Sequence, residues 1–135
     1  MKVIIVGRDK ELIEPLAGLL AEAGLGAIHV ENASSAVAAL KKTNAQFVVA
    51  DSALLINQNL GHELLKRSPL VRLIGFSAKP TTPGLIEALT SGVIDYFPRN
   101  QASLGAMVDL IVSEGRRLVR WRNVLLTDDP AAAGE

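Results

Sequence analysis

The sequence contains no cysteine, which excludes a disulfide framework, a zinc–thiolate centre and a thiol nucleophile. Histidine is almost as scarce. His29 and His62 stand far apart, without metal-ligand spacing. No apolar run approaches the ~20 residues that a membrane-spanning helix needs. The opening run, Met-Lys-Val-Ile-Ile-Val, is closed by Gly7, Arg8, Asp9 and Lys10, too early for a signal peptide. A cytoplasmic chain without membrane attachment is the expectation. Neither sign of charge is in excess: 14 Lys and Arg balance 14 Asp and Glu. A global pull toward nucleic acid or an anionic membrane is therefore not expected. What the chain does have is hydrophobic residues, 49% of its 135, enough for one domain with a substantial core.

Five apolar, β-branched runs recur at regular intervals, at residues 2–7, 27–31, 46–51, 71–76 and 93–97. Near-continuous runs are the mark of parallel strands buried on both faces. The run Ala27-Ile28-His29-Val30-Glu31 alternates instead, which predicts an edge strand with His29 facing outward. Helix-like segments separate the runs. Leu12, Leu16, Leu19 and Leu20 share one face and end at Gly24, with Pro15 expected to kink or delay that helix. Asn32 can cap a second helix through Val37 and Leu40. Leu60, Leu64 and Leu65 mark a third, and residues 83–89 a fourth. The last helix opens near Gln101. Alternating strands and helices predict an α/β fold with right-handed crossovers. The natural arrangement is a flavodoxin-like, doubly wound, five-stranded parallel sheet in the order 2-1-3-4-5 with an extended C-terminal helix. The expected division is one domain over residues 1–126 and a linker or frayed tail over 127–135.

Ligands of such sheets gather at the carboxyl ends of the strands. The residues there are Gly7, Arg8 and Asp9 after the first strand, Asp51 closing the third, Ser77 and Ala78 after the fourth, and Pro98, Arg99 and Asn100 after the fifth. This set resembles the receiver domains of two-component response regulators. Phe47-Val48-Val49-Ala50-Asp51 fits the strand that ends in the family's phospho-accepting aspartate. Phe76-Ser77-Ala78 fits the hydroxyl followed by a small residue. Gly92-Val93-Ile94-Asp95-Tyr96 fits the Gly-Ala-x-x-Tyr pattern, and Gly61-His62-Glu63-Leu64-Leu65 the Gly-x-Glu-Leu-Leu pattern. The resemblance covers residues 2–112. It implies a signalling module with no enzymatic activity of its own, in which Asp51 is the acceptor, active or vestigial. Gly7, Arg8, Asp9, Ser77 and Arg99 would line its pocket, and Tyr96 would be the switch and interface aromatic.

The departures are specific. The family holds Mg²⁺ with two adjacent acids after the first strand, where this chain has Gly7-Arg8 with Asp9 one place late. The family's Lys-Pro pair is Arg99-Asn100 here, and the loop at residues 52–59 is about two residues longer than usual. Mg²⁺ requires hard oxygen ligands, usually one or two carboxylates plus water, and phosphoryl transfer to a carboxylate leans on that metal to offset charge repulsion. Gly7 offers no side-chain ligand and Arg8 is a fixed cation. With Asp9 turned to cap the first helix, Asp51 alone is a poor metal site. The expected arrangement is an ion pair between Asp51 and Arg8, Arg99 or both, with no cofactor. The alternative is a working phosphoacceptor, with Asp9 and Asp51 holding Mg²⁺ and a histidine kinase as donor. Plain structural roles also fit Asp51, Arg8 and Ser77 individually. An unrelated enzyme on this fold finds no Gly-rich phosphate loop and no Ser-His-Asp set.

Along the last helix, Leu104, Ile111, Leu118 and Leu125 recur every seven residues, with Met107, Val108, Trp121 and Val124 near the same seam. The pattern predicts a helix running past the body with a stripe for a partner helix, serving a homodimer or an output domain. Arg116, Arg117, Arg120 and Arg122 cluster distally, but no aromatic interleaving supports nucleic-acid binding. The expected partners are proteins.

Overall fold

The computed structural model describes residues 1–57, 60–68, 70–77, 81–90 and 92–126. Strands β1 (Lys2–Val6), β2 (Gly26–Val30), β3 (Phe47–Asp51), β4 (Arg72–Ser77) and β5 (Val93–Pro98) form one sheet in the order β2-β1-β3-β4-β5, every pair parallel. This is the expected flavodoxin-like sheet. Helices α1 (Lys10–Glu22), α2 (Ala33–Thr43), α3 (Ser52–Asn57), α4 (Leu60–Arg67), α5 (Thr82–Thr90) and α6 (Leu104–Leu126) fill the connections. A 3₁₀ turn, Gln101–Ser103, leads into α6.

Alternate residues of each central strand face opposite sides, so the sheet divides two cores. Val3, Ile5, Phe47, Val49, Ile74 and Phe76 pack against α1 and α6, the latter through Leu104, Met107, Val108 and Ile111. Ile4, Val6, Val48, Ala50 and Leu73 pack against the other helices through Ala36, Leu40, Leu55, Leu60, Leu64 and Ala88. Strand β2 is an edge strand, with His29 exposed, as its alternation predicts.

Helix ends follow local chemistry. At the end of α1, Gly24 has φ +80°. Its N–H bonds the Ala21 carbonyl at 3.0 Å and Leu25 N–H bonds that of Leu20 at 2.9 Å. This pair of bonds is a Schellman cap, which a left-handed glycine makes without strain. Pro15 does not interrupt α1, which continues through it. The carbonyl that loses its donor belongs to Glu11, an exposed residue that water can reach.

Two expectations require correction. Residues 52–57, expected in a loop, form α3, with Leu55 buried beneath it; residues 58–59 of that loop lie outside the described residues. The seven-residue stripe of α6, expected to serve a partner helix, is taken up by the chain's own core through Leu104, Ile111 and Leu118. The side chains of Trp121 and Leu125 and the tail 127–135 lie outside the described residues.

Candidate functional site

The carboxyl edge of the sheet opens into a cavity of about 340 Å³ between α1, the start of α2 and α3. Gly7, Arg8, Asp9, Asp51 and Arg99 line it, joined by Glu31 and Asn32. Sequence reasoning named the first five. It missed Glu31 and Asn32 because they follow the edge strand, whose register against β1 sets how near they come. Ser77 ends β4 beside Pro98 of β5 and is half-buried, but it does not line this cavity. Ala78 lies outside the described residues.

The loop after β1 is held from two sides. Gly7 N–H bonds the Val30 carbonyl at 2.9 Å. His29 Nε2 lies 2.6 Å from the Gly7 carbonyl, so the ring donates through that nitrogen. Gly7 has φ +150°, a region that side-chain-bearing residues rarely occupy. The backbone here therefore suits glycine and disfavours the acid that the receiver pattern calls for. Arg8 follows, exposed at the cavity rim.

Asp9 has two tasks. Its Oδ1 accepts from Glu11 N–H at 3.1 Å, capping α1. Its Oδ2 accepts from Arg99 Nη2 at 2.5 Å and Nε at 3.0 Å. Both side chains are about a third exposed, 33% for Arg99 and 29% for Asp9. The ion pair ties the end of β5 to the start of α1. The expected pairing of Arg99 with Asp51 is thus replaced by one with Asp9. Capping turns the Asp9 carboxylate toward α1, and the N–H of Arg99, bonded to the Ser77 carbonyl at 2.7 Å, anchors the arginine within reach of it. Asp51 is half-buried at the tip of β3. Asn100 accepts from Ser103 N–H at 2.9 Å and Ser103 Oγ at 3.0 Å, so it caps the entry to α6. Its Asn–x–x–Ser spacing was a legible capping signal.

The loop after β1 does not supply the acid pair that receiver domains use for Mg²⁺. Both oxygens of Asp9 are engaged, Gly7 has no ligand and Arg8 carries a fixed positive charge. Among the described residues no group of three His, Asp or Glu side chains converges on a metal position.

Tyr96 faces the other core, half-buried. A methyl placed on Gly84 would stand 3.1 Å from its hydroxyl, and one on Gly75 would stand 3.5 Å from its ring. The ring therefore crosses β4 at Gly75, and its hydroxyl reaches the first turn of α5, which Thr81 caps through its Oγ1 to Gly84 N–H at 3.0 Å. Beyond it α5 exposes Leu85, Ile86 and Leu89, at 37%, 60% and 50%, a run of apolar surface that water does not favour.

No family model matches the chain, and no curated protein matches it in sequence. Solved structures do. HP1043, an orphan response regulator of H. pylori, superposes with a TM-score of 0.75 at 18% identity over 84% of this chain and 94% of that one. An atypical orphan response regulator, described as having a phosphorylation-independent regulatory mechanism, gives 0.74 at 18% over 86% and 96%. The receiver domain of the Francisella response regulator 1452 gives 0.70 at 22% over 84% and 98%. The fold is that of response-regulator receiver domains. No helix among the described residues is long and apolar enough to cross a membrane.

Proposed function

We propose that the chain is an atypical receiver module of a two-component pathway, working in the cytoplasm through protein–protein contacts without Mg²⁺-dependent phosphorylation. The observation that carries this reading is the double engagement of Asp9, which caps α1 and pairs with Arg99. The carboxylate that the loop after β1 does carry is thereby engaged twice. The ion pair offsets the charge of Arg99 with that of Asp9 and leaves Arg8 as the fixed cation at the pocket mouth. Tyr96, turned in under α5, and the exposed Leu85, Ile86 and Leu89 give a partner protein or output domain an apolar surface. Residues 1–126 act as the module and 127–135 as a linker, with no cofactor and no enzymatic role of its own. The likeness to an orphan regulator described as phosphorylation-independent agrees with this reading.

A second reading has one specific support: Asp51 sits at the tip of β3 in the same cavity as Arg8 and Arg99, where a phosphoryl group from a histidine kinase would meet two cations. Acetyl phosphate or beryllofluoride with Mg²⁺, followed by intact mass and amide chemical shifts, separates the two. No added phosphoryl mass and no Mg²⁺-dependent shift near Asp51 are expected. A phosphorylated species lost on Asp51→Asn would establish the second reading instead.

A further inference from the structure

The first half of α6 is buried on one side, and a second line along it is only partly covered. Gly105, Val112 and Val119 recur every seven residues, so they fall on one stripe of the helix. Gly105 is exposed, and a Cβ added to it would meet nothing within 4 Å. Val112 is half-buried, touching the core on one side, and Val119 is 46% exposed. Beside them an apolar groove of about 320 Å³ runs between the end of α1 and α6, lined by Met1, Ala23, Leu25, Val112, Gly115 and Val119. Leu118 is the last described residue of α6 packed on the core. Residues 119–126 thus continue the helix for about 12 Å at 1.5 Å per residue, and Val124 there is 62% exposed.

Charge along α6 is divided. Its acids, Asp109 and Glu114, lie in the first half, and Arg116, Arg117, Arg120 and Arg122 lie in the second. Arg117 bonds Glu114 within the helix at 2.9 Å. Asp109 and Arg116 are both exposed and have no ion-pair partner among the described residues. They flank the 105–112–119 stripe on the same side, seven residues apart.

We infer that this stripe of α6 is a self-association surface, and that its occupant is the α6 of a second copy running antiparallel. A two-fold axis at Val112 sets Val112 against its copy and Val119 of each copy in the open notch at the partner's Gly105. It also brings Asp109 of each copy beside the partner's Arg116, because flanking positions of the same kind meet in an antiparallel pair. A parallel pair would instead align the two arginine-rich halves side by side, which like charges oppose. The charge pattern therefore selects the second copy and its direction together. This surface is separate from the α5 face offered above to a partner.

The absence of cysteine makes the test direct. Sedimentation of the full chain over a range of concentration is expected to show a monomer–dimer equilibrium that weakens with salt, as its two charge pairs require. Asp109→Arg is expected to weaken the dimer about tenfold or more, since attraction becomes repulsion at two equivalent places. Adding Arg116→Asp to it should restore the dimer. Mild oxidation of a mixture of the Gly105→Cys and Val119→Cys chains should give a crosslinked heterodimer, with little crosslink from either alone. A monomer at every concentration overturns the inference. So does a Val119→Cys self-crosslink, which would mean a parallel pair, or a dimer indifferent to Asp109→Arg, which would mean another face. Circular dichroism of each variant separates loss of the surface from loss of the fold.

Discussion

Replacing Asp9 separates its two tasks. Asn caps a helix as well as Asp does, whereas Ala does not. Asp9→Asn therefore keeps the cap of α1 and removes the carboxylate charge that holds Arg99, while Asp9→Ala removes both. An N-cap is worth about 1 kcal/mol. The ion pair joins groups that are each about a third exposed, so it contributes about 0.5 kcal/mol once solvent screening is allowed for. Asp9→Ala is then expected to cost about 1.5 kcal/mol and Asp9→Asn about 0.5 kcal/mol. In urea, with a slope of about 2 kcal/mol per molar for a domain of this size, the midpoint moves by about 0.7 M and about 0.25 M. Arg99→Ala should match Asp9→Asn, and the double variant Asp9→Asn with Arg99→Ala should cost no more than either alone, because both delete the same interaction. Equal losses for Asp9→Asn and Asp9→Ala would refute the capping role. Additive losses for Asp9→Asn and Arg99→Ala would refute the pair.

Three other changes test the frame around the site. Gly18 lies on the exposed side of α1 with nothing within 4 Å of an added Cβ, so Gly18→Ala should stabilise the domain by about 0.5–1 kcal/mol, seen as a rise in the thermal midpoint. Gly92 has φ +95°, and an added Cβ would collide with the Leu65 side chain; Gly92→Ala should cost about 2 kcal/mol or more in urea unfolding. Glu114, 14% exposed, lies 3.9 Å from Arg72 Nε of β4 and bonds Arg117. Glu114→Ala should cost about 1–2 kcal/mol and speed hydrogen exchange in the distal turns of α6.

The strands were legible because buried parallel strands write themselves as apolar runs: each lies within one residue at either end of its expected span. The order of the sheet followed from handedness and from the alternation in β2. Residues 52–57 were not legible as a helix, since Ser-Ala-Leu-Leu-Ile-Asn is too short for a helical period to emerge. Position in sequence placed Gly7, Arg8, Asp9, Asp51 and Arg99 at one edge, and they do line one cavity. Which carboxylate Arg99 takes was beyond sequence, because the choice turns on distances of an ångström set by the Arg99–Ser77 backbone bond and by the α1 cap. The heptad of α6 misled for a related reason. A stripe every seven residues suits a domain's own core as well as a foreign helix, and the pattern alone does not say which.

The proposed loss of a metal position can itself be tested by reversing it, and the backbone says where. Restoring an acid at Gly7 fails on conformation: at φ +150° a side chain is strained, although space exists, with Ile13 Cδ1 3.8 Å from an added Cβ. Position 8 carries no such penalty, because positive φ in this loop is confined to Gly7. Arg8→Asp removes the fixed cation from the cavity and puts a carboxylate on the rim of the cavity that Asp51 also lines. Two carboxylates plus water are enough for Mg²⁺, so Asp9 can keep its cap and its arginine. Arg8→Asp is therefore expected to gain Mg²⁺-dependent amide shifts around Asp51 at millimolar metal, the parent chain to show none, and Gly7→Asp to lose stability without gaining them. If Arg8→Asp stays silent but responds once Arg99→Ala is added, then the Asp9–Arg99 pair, rather than Arg8, is what keeps metal out. If both stay silent, the chemistry of the loop after β1 is not the reason, and the explanation in terms of a displaced acid pair falls.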